Sequence, residues 1–529
     1  MNMPKHLIFG REAGEKLAAG ILKLADAVAP TLGPKGCNVG LQTWNSSKIT
    51  NDGFTIVKDF VLSDQYENMG AEMAREVASK IKEMSGDGTT TGIILLSSIV
   101  NEGLKNLSSG MPVRKINEGI RLAVEAINEK IINSSTQIKD NSQIKSIAMA
   151  AASGNESIAS VIAEAFEKIG QTGFVSVEAG STMETTVEIV NGLEIKKGYA
   201  GAYFITDTEK MLVVMNSPYV LITDKKISSA QEILPILQSF ASTGKELVIF
   251  CDDMDNDVLS TLVVNKLKGI LKVAVVKAPG FGDQKMDNLE DIAIFTGSNL
   301  ISENTGTLLK NVTLDSLGRC DRIEISSSTT KLIGSHCLKD VLSMRLRQFE
   351  VAIEEHPENK QQFLLRKTRL EGKVAVIKVG ASTEIELQQK KQVFEDSVNA
   401  TRLAIESGFV VGGGLSLFKA ALALQDLVSQ QKDHAVAVGI RSVIKACEAP
   451  LRRIIRNSGL EDSVILNKIN HAADEDIGFN MNSGHLENLK ESGVLDPTLV
   501  ITNILTHASS MAQVILMSEV LIGDDKDDD

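Results

Sequence analysis

The chain has 529 residues, 43% of them hydrophobic, and a formal net charge of −13, a length that calls for roughly two to four domains. The acidic balance, with one Trp and four Tyr, argues against a nucleic-acid partner, because phosphate binding wants a basic surface and base stacking wants aromatics. Five cysteines without a CxxC pair point to neither a zinc ribbon nor a disulfide framework and read as buried thiols, while no signal peptide at Met1–Gly10 and no apolar run of about 18 residues is read, so the expectation is a cytoplasmic protein without a membrane partner.

Leu17, Ile21, Leu24 and Val28 form an apolar stripe that predicts a helix running into Pro30. The loop Thr31–Gly36 follows, a candidate phosphate cradle that on local evidence is a plain Pro/Gly turn. Val39 and Leu41, then Ile49 and Thr50, read as extended. Asn51-Asp52-Gly53 reads as a hairpin or tight turn, with Asp52 either turn chemistry or a site carboxylate. Met69, Met73, Val77, Ile81 and Met84 recur at steps of three and four, one face of a second helix, which Gly86 and Gly88 break. Thr90 and Thr91, followed by Ile93 to Leu96, open another helix, whose unpaired N–H groups and positive dipole end favour an anion. Asp87 stands where a metal bound to that anion wants an oxygen ligand. Taken alone, this stretch is more simply a Gly/Thr-rich loop that caps a helix.

From about Thr172 the texture changes to strand-like alternation through Val175, Val177, Val187 and Ile189. Short apolar runs at 219–223, 247–250 and 273–276 alternate with helical patterns at 232–242 and 258–268, the layout of a layered α/β domain. Residues 345–369 read as a charged, solvated hairpin of helices, 374–379 as a strand, and 384–521 as mostly helical. Helical ends bracketing an α/β middle predict a discontinuous domain.

TLGPKG (31–36), ITNDG (49–53), GDGTTT (86–91), KAPGFGD (277–283), VFEDSVNATR (393–402), VVGGG (410–414) and LDPT (495–498) follow one another along the chain. In these motifs and their order the chain resembles the GroEL class (group I) of chaperonins from about Phe9 to Leu521. The resemblance implies a multidomain chaperonin fold: a mostly α equatorial domain (1–134 and 407–529), a small α/β intermediate domain (135–190 and 375–406) and an α/β apical domain (191–374). It implies an ATP-hydrolysing, protein-folding subunit of a double seven-membered ring, with unfolded client proteins and a GroES-type co-chaperonin as partners.

No GxxxxGK[ST] motif is present, so a P-loop lysine does not hold the phosphates. By resemblance, ATP would lie against Thr31, Leu32, Gly33, Pro34, Asn51, Asp87, Gly88, Thr89, Thr90, Thr91, Gly413, Asn480, Met481, Asn482 and Asp496. Asp87 would ligate Mg2+, with room for K+, and Asp52 and Asp396 would stand near the attacking water. Asp396 belongs to the intermediate segment and Asp87 to the equatorial one, which implies chemistry gated by hinge closure. Tyr199, Tyr203, Phe204, Leu234, Leu237, Leu259, Val263 and Val264 would form an exposed apolar face for clients, although the three and four spacing among them is also that of core packing.

Three departures from the family pattern carry consequences. Asn51 stands where a lysine is usual, which predicts a weaker grip on the phosphates and a gain of about tenfold from Asn51→Lys. Ala200-Gly201-Ala202 replaces a more apolar stretch. The tail 524–529 is acidic instead of Gly/Met-rich. Together they keep open an alternative, a divergent paralog with a weak ATPase acting as a client-binding holdase or scaffold.

Overall fold

The computed structural model of the chain describes residues 5–42, 47–107, 109–152, 154–170, 173–180, 182–208, 210–280, 283–302, 309–355, 360–472 and 474–524. Thr172, Phe281 and Gly282 of the 277–283 motif, and tail residues 525–529 lie outside the described residues. The chain forms two compact units, one from Met1–Ala163 with Gln388–Asp529 and the other from Glu164–Leu387. Residues 135–163 and 388–406 fall in the first, and residues 164–190 and 375–387 in the second.

The first unit is mainly helical. Helix α1 (Gly10–Val28) buries Leu17, Ile21, Leu24 and Val28 completely, as the stripe predicts. A hairpin, β2 (Val39–Gln42) with β3 (Ser47–Thr50), leads into the short helix α2 (Gly53–Asp59). Asn51-Asp52-Gly53 is therefore not a hairpin tip: Asp52 is the N-cap of α2, its carboxylate accepting from the N–H of Phe54 (3.4 Å) and Thr55 (2.9 Å). The N-cap and the tight turn use the same side-chain chemistry, which is why the tripeptide alone does not separate them. Helices α3 (Gln65–Ser85), α4 (Thr89–Leu107) and α5 (Val113–Asn133) pack with helix Thr498–Leu516 around one core. Of the stripe on α3, Val77 and Ile81 are buried but Met84 is exposed.

Helix Thr498–Leu516 is long and apolar enough to cross a bilayer, which corrects the expectation that no such stretch exists. Val500, Ile504, Leu505, Ala508, Ala512 and Ile515 on it are buried in the core shared with α3 to α5. Strand β1 (Lys5–Phe9) pairs antiparallel with Val520–Asp524, Lys5 opposite Asp524. Segments from both sides of the 164–387 unit thus close a single layer.

The second unit is built on a nine-stranded mixed sheet in the order 272–277, 246–251, 219–222, 318–325, 330–335, 186–195, 373–379, 174–179, with 213–216 also paired to 318–325. The first three run parallel and are almost entirely buried, the pattern of strands covered on both faces. Helix Ala230–Thr243 opens on a capping box formed by Ser229 and Glu232, and helix Asn256–Leu267 follows the 246–251 strand.

Two expectations need correction here. Helices Lys339–Glu355 and Lys360–Leu370 are not wholly solvated, because Phe349, Arg366 and Leu370 are buried. The Arg366 guanidinium lies bidentate on Asp291 at 2.7 and 2.8 Å, which satisfies a charge that local sequence assigns to solvent. Of the cysteines, Cys251, Cys320 and Cys447 are buried, but Cys37 is exposed and Cys337 half-buried.

Candidate active site

The turn between α3 and α4 organises the site. Gly86, in the left-handed region (φ 70°), ends α3 with its N–H on the Lys82 carbonyl at 2.9 Å. Gly88 has φ 86°, and a β-carbon there would lie 2.2 Å from Ile504 Cδ1, so only glycine fits the turn. Thr89 then begins α4, and the first N–H groups of a helix have no partner within it. Asp87 is exposed between the two glycines and accepts the Gly88 N–H at 2.6 Å.

The other carboxylates come from distant segments of the same unit. A β-carbon on Gly53 would lie 2.0 Å from Thr90 Oγ1, so Asp52 at the start of α2 is held against the opening of α4. Helix Glu384–Ser407 brings Asp396, whose Oδ1 accepts from Lys82 Nζ at 2.5 Å and from Gln392 Nε2 at 3.0 Å. The same helix packs Asn399 on the turn, where a β-carbon on Gly86 would lie 2.8 Å from Asn399 Cβ. Burial pushes the Asp396 carboxyl up to about 6, with the Asp87 charge adding and the Lys82 ammonium opposing. For Lys82, burial works against the charged form, but Asp396, Asp52 and Asp87 outweigh it and hold its pKa above the ordinary lysine value.

Asp496 lies opposite Val410 where Phe409–Val411 pairs with Leu495–Pro497, and a β-carbon on Gly412 would lie 2.9 Å from its carboxyl carbon. Desolvation raises its pKa to about 6, Asp87 adds to the rise, and the Gly413 N–H opposes it. The Thr31–Pro34 loop is held by Asn457, whose Nδ2 donates to Ala29 O at 2.9 Å and Leu32 O at 2.8 Å. Leu32 and Met481 pack on one apolar cluster with Leu415, Leu451 and Ile454, which joins the loop to the hairpin Ile477–Asn480 and His485–Asn488.

Not every expected contact side chain is free to serve. Asn480 spends its Nδ2 on Glu487 at 2.6 Å and its Oδ1 on the Asn482 N–H at 2.9 Å; Asn482 and Asn51 are exposed. Lys82, Asn399 and Asn457 were not among the residues expected from the motifs. Lys82 lies off the apolar stripe of α3 and reads as an ordinary last-turn helix cation.

On the second unit, Tyr203, Leu234 and Val264 are exposed at 70%, 45% and 46%, and Tyr199, Leu259 and Val263 are half-buried against the core. Phe204 and Leu237 are buried, against the expectation of an exposed face. Leu237 falls with Ile233, Ile236 and Phe240 on the core stripe of its helix, while Leu234 sits one position off it. Lys266 Nζ donates to the Tyr203 and Ile205 carbonyls, both at 2.8 Å, and this turn points Phe204 inward as it leaves Tyr203 outside.

The model of the TCP-1/cpn60 chaperonin family matches residues 24–526. The chain belongs to that family. It is 44% identical over 532 aligned residues to Chaperonin GroEL 3 of Protochlamydia amoebophila (strain UWE25), covering all of this chain and 99% of that one. Among solved structures it resembles the chaperonin gp146 of bacteriophage EL 2 (Pseudomonas aeruginosa), crystallised in the presence of ATP-BeFx, with a TM-score of 0.71 at 20% identity over 98% of this chain and 99% of that one. The multidomain chaperonin fold expected from the motifs is the fold found, and the chaperonin is a protein-folding one of the GroEL-like, group I kind. Family membership brings with it client proteins and ring assembly.

Proposed function

We propose that the chain is the subunit of an ATP-dependent chaperonin that captures non-native proteins on an apolar apical face and promotes their folding in a ring cavity, driven by Mg2+-dependent hydrolysis. The observation that carries this reading is the Lys82–Asp396 pair beside the opening of α4, with Asp87 on the turn and Asp52 at the start of α2 near enough for their charges to act on the same ammonium. A helix start with unpaired N–H groups receives phosphate, and carboxylates beside it can hold a metal and orient water.

Among the described residues no group of three or more His, Cys, Asp or Glu forms a metal cage. The single exposed carboxylate of Asp87 fits Mg2+, which is commonly held by one or two carboxylates together with substrate phosphate oxygens. When bound at Asp87, the ion would neutralise phosphate charge. Asp396 orients the water and takes its proton, Asp52 stands near that water, Thr89 to Thr91 face the phosphates, Thr31 to Pro34 and Gly413 line the nucleotide, and Asp496 accepts from the ribose. In this proposal residues 1–134 and 407–529 are equatorial, 135–190 and 375–406 intermediate, and 191–374 apical, in a cytoplasmic double seven-membered ring with a GroES-type lid.

A second reading, a weak ATPase acting as a holdase, draws on Asn51, an exposed amide where the family usually has a charge. Steady-state ATP hydrolysis with and without Mg2+, together with the particle mass in solution, separates the two. Magnesium-dependent turnover by a ring supports the first, and client binding without turnover supports the second.

The raised carboxyl groups give a pH signature. Above about 6 Asp396 is ionised and accepts a proton; below that it is protonated and cannot. Turnover should therefore fall as pH drops through about 6. Asp496 titrates in the same range, so a pH–turnover profile of Asp496→Asn is the control. An acid limb that vanishes in that variant would assign the limb to Asp496 and remove this role from Asp396.

A further inference from the structure

We propose that Lys82 is a positioning residue that supplies the positive charge this site lacks at Asn51, and that it does so while orienting Asp396. The inference rests on the ATP reading given above and goes beyond it by naming a residue that the family motifs do not contain.

Three observations lead there. First, the Lys82 side chain is only 22% exposed and so is that of Asp396, its partner at 2.5 Å. The neighbouring Lys80 behaves differently: its pairing with Glu83 is a surface contact with both side chains about half exposed, worth little in stability or orientation. Second, Lys82 is anchored to the site by its backbone, since its carbonyl accepts the Gly86 N–H that closes α3 at the phosphate turn. The backbone that carries this side chain is therefore part of the turn. Third, the ammonium pairs with Asp396, and the charges of Asp52 and Asp87 act on it as well, so the local balance is anionic before any phosphate enters.

Anionic phosphates cannot enter such a site cheaply without a cation. Asn51, next to Asp52, offers a neutral amide, whereas Lys82 reaches the same carboxylates from α3. A lysine ammonium has three donors on a flexible stem. One is used on Asp396, which fixes the rotamer of that carboxylate, and the rest of its charge faces the cluster.

The test uses the full-length protein with Mg-ATP, reading ATP dissociation constant and turnover separately. Lys82→Gln should weaken ATP binding and lower turnover, each at least about tenfold, and Lys82→Arg should recover most of both. Adding Asn51→Lys to Lys82→Gln should restore ATP affinity to within about threefold, because charge is returned from the other side. In the otherwise unchanged chain, Asn51→Lys should raise affinity and turnover by clearly less than the roughly tenfold expected from the sequence, because the site already holds a cation. That last arm does not depend on any Lys82 variant folding. A tenfold gain from Asn51→Lys alone would show that the charge is missing and overturn the inference, as would unchanged turnover in Lys82→Gln. A parent chain that neither binds nor hydrolyses Mg-ATP would overturn the ATP reading and this inference together.

Discussion

Asp396→Ala keeps ATP binding within about threefold of the parent but lowers turnover by roughly thirty- to a thousandfold, equivalent to about 2–4 kcal/mol of transition-state stabilisation. The reason is positional. Asp396 touches Lys82 and Gln392, whereas the elements expected to hold the nucleotide are the 31–34 loop, the 86–91 turn and Gly413, each fixed by other contacts. Removing the carboxylate also leaves the Lys82 ammonium half-buried without its nearest partner, with Asp52 and Asp87 still acting on it, so the phosphates keep their cation. Equilibrium binding and single-turnover hydrolysis on the same preparation check this. Equal turnover in the two proteins would remove Asp396 from the reaction, and a parallel loss of binding would make it a structural residue.

The apical variants divide by burial. Tyr203→Glu, Leu234→Glu and Val264→Glu act on exposed side chains, so each should abolish capture of an unfolded client while stability changes by no more than about 0.5 kcal/mol. Phe204→Ser and Leu237→Ser act on buried ones and should cost about 3–5 kcal/mol, with client capture lost only as the unit unfolds. Thermal melting and suppression of client aggregation, measured on the same five variants, separate the two groups. If Tyr203→Glu lowered the melting temperature as far as Phe204→Ser does, Tyr203 would be packing and not a client contact.

Much of this arrangement could be read from local pattern. The α1 stripe, the strands at 219–222, 246–251 and 272–277, and the turn at Gly86–Gly88 are each written within a few residues, by periodicity or by glycine. Asp52 was ambiguous because a helix cap and a tight turn present the same Asn-Asp-Gly. Leu237 was legible in principle, since Ile233, Ile236 and Phe240 mark the buried stripe it lies on. Lys82 and Arg366 were not legible at all. Their carboxylate partners lie 314 and 75 residues away, and no local rule tells a long-range buried pair from a solvated charge.

The pairing of β1 with Val520–Asp524 has a consequence for how the chain is made. Among the described residues, the main core of the 164–387 unit draws on residues 193–370 and its smaller cluster on Phe174, Ile333, Val374 and Val376, so both can form as soon as that unit has left the ribosome. The other core cannot: the buried faces of α1, α3, α4 and α5 are completed by helix Thr498–Leu516. At about 5–20 residues per second, the segment from Gln388 to Asp524 takes on the order of ten to thirty seconds to emerge after the inserted unit. Throughout that interval the apolar faces of α3, α4 and α5 against which helix Thr498–Leu516 packs stand uncovered by it. During its own synthesis, this polypeptide therefore passes through the kind of exposed state that a folding machine exists to shelter.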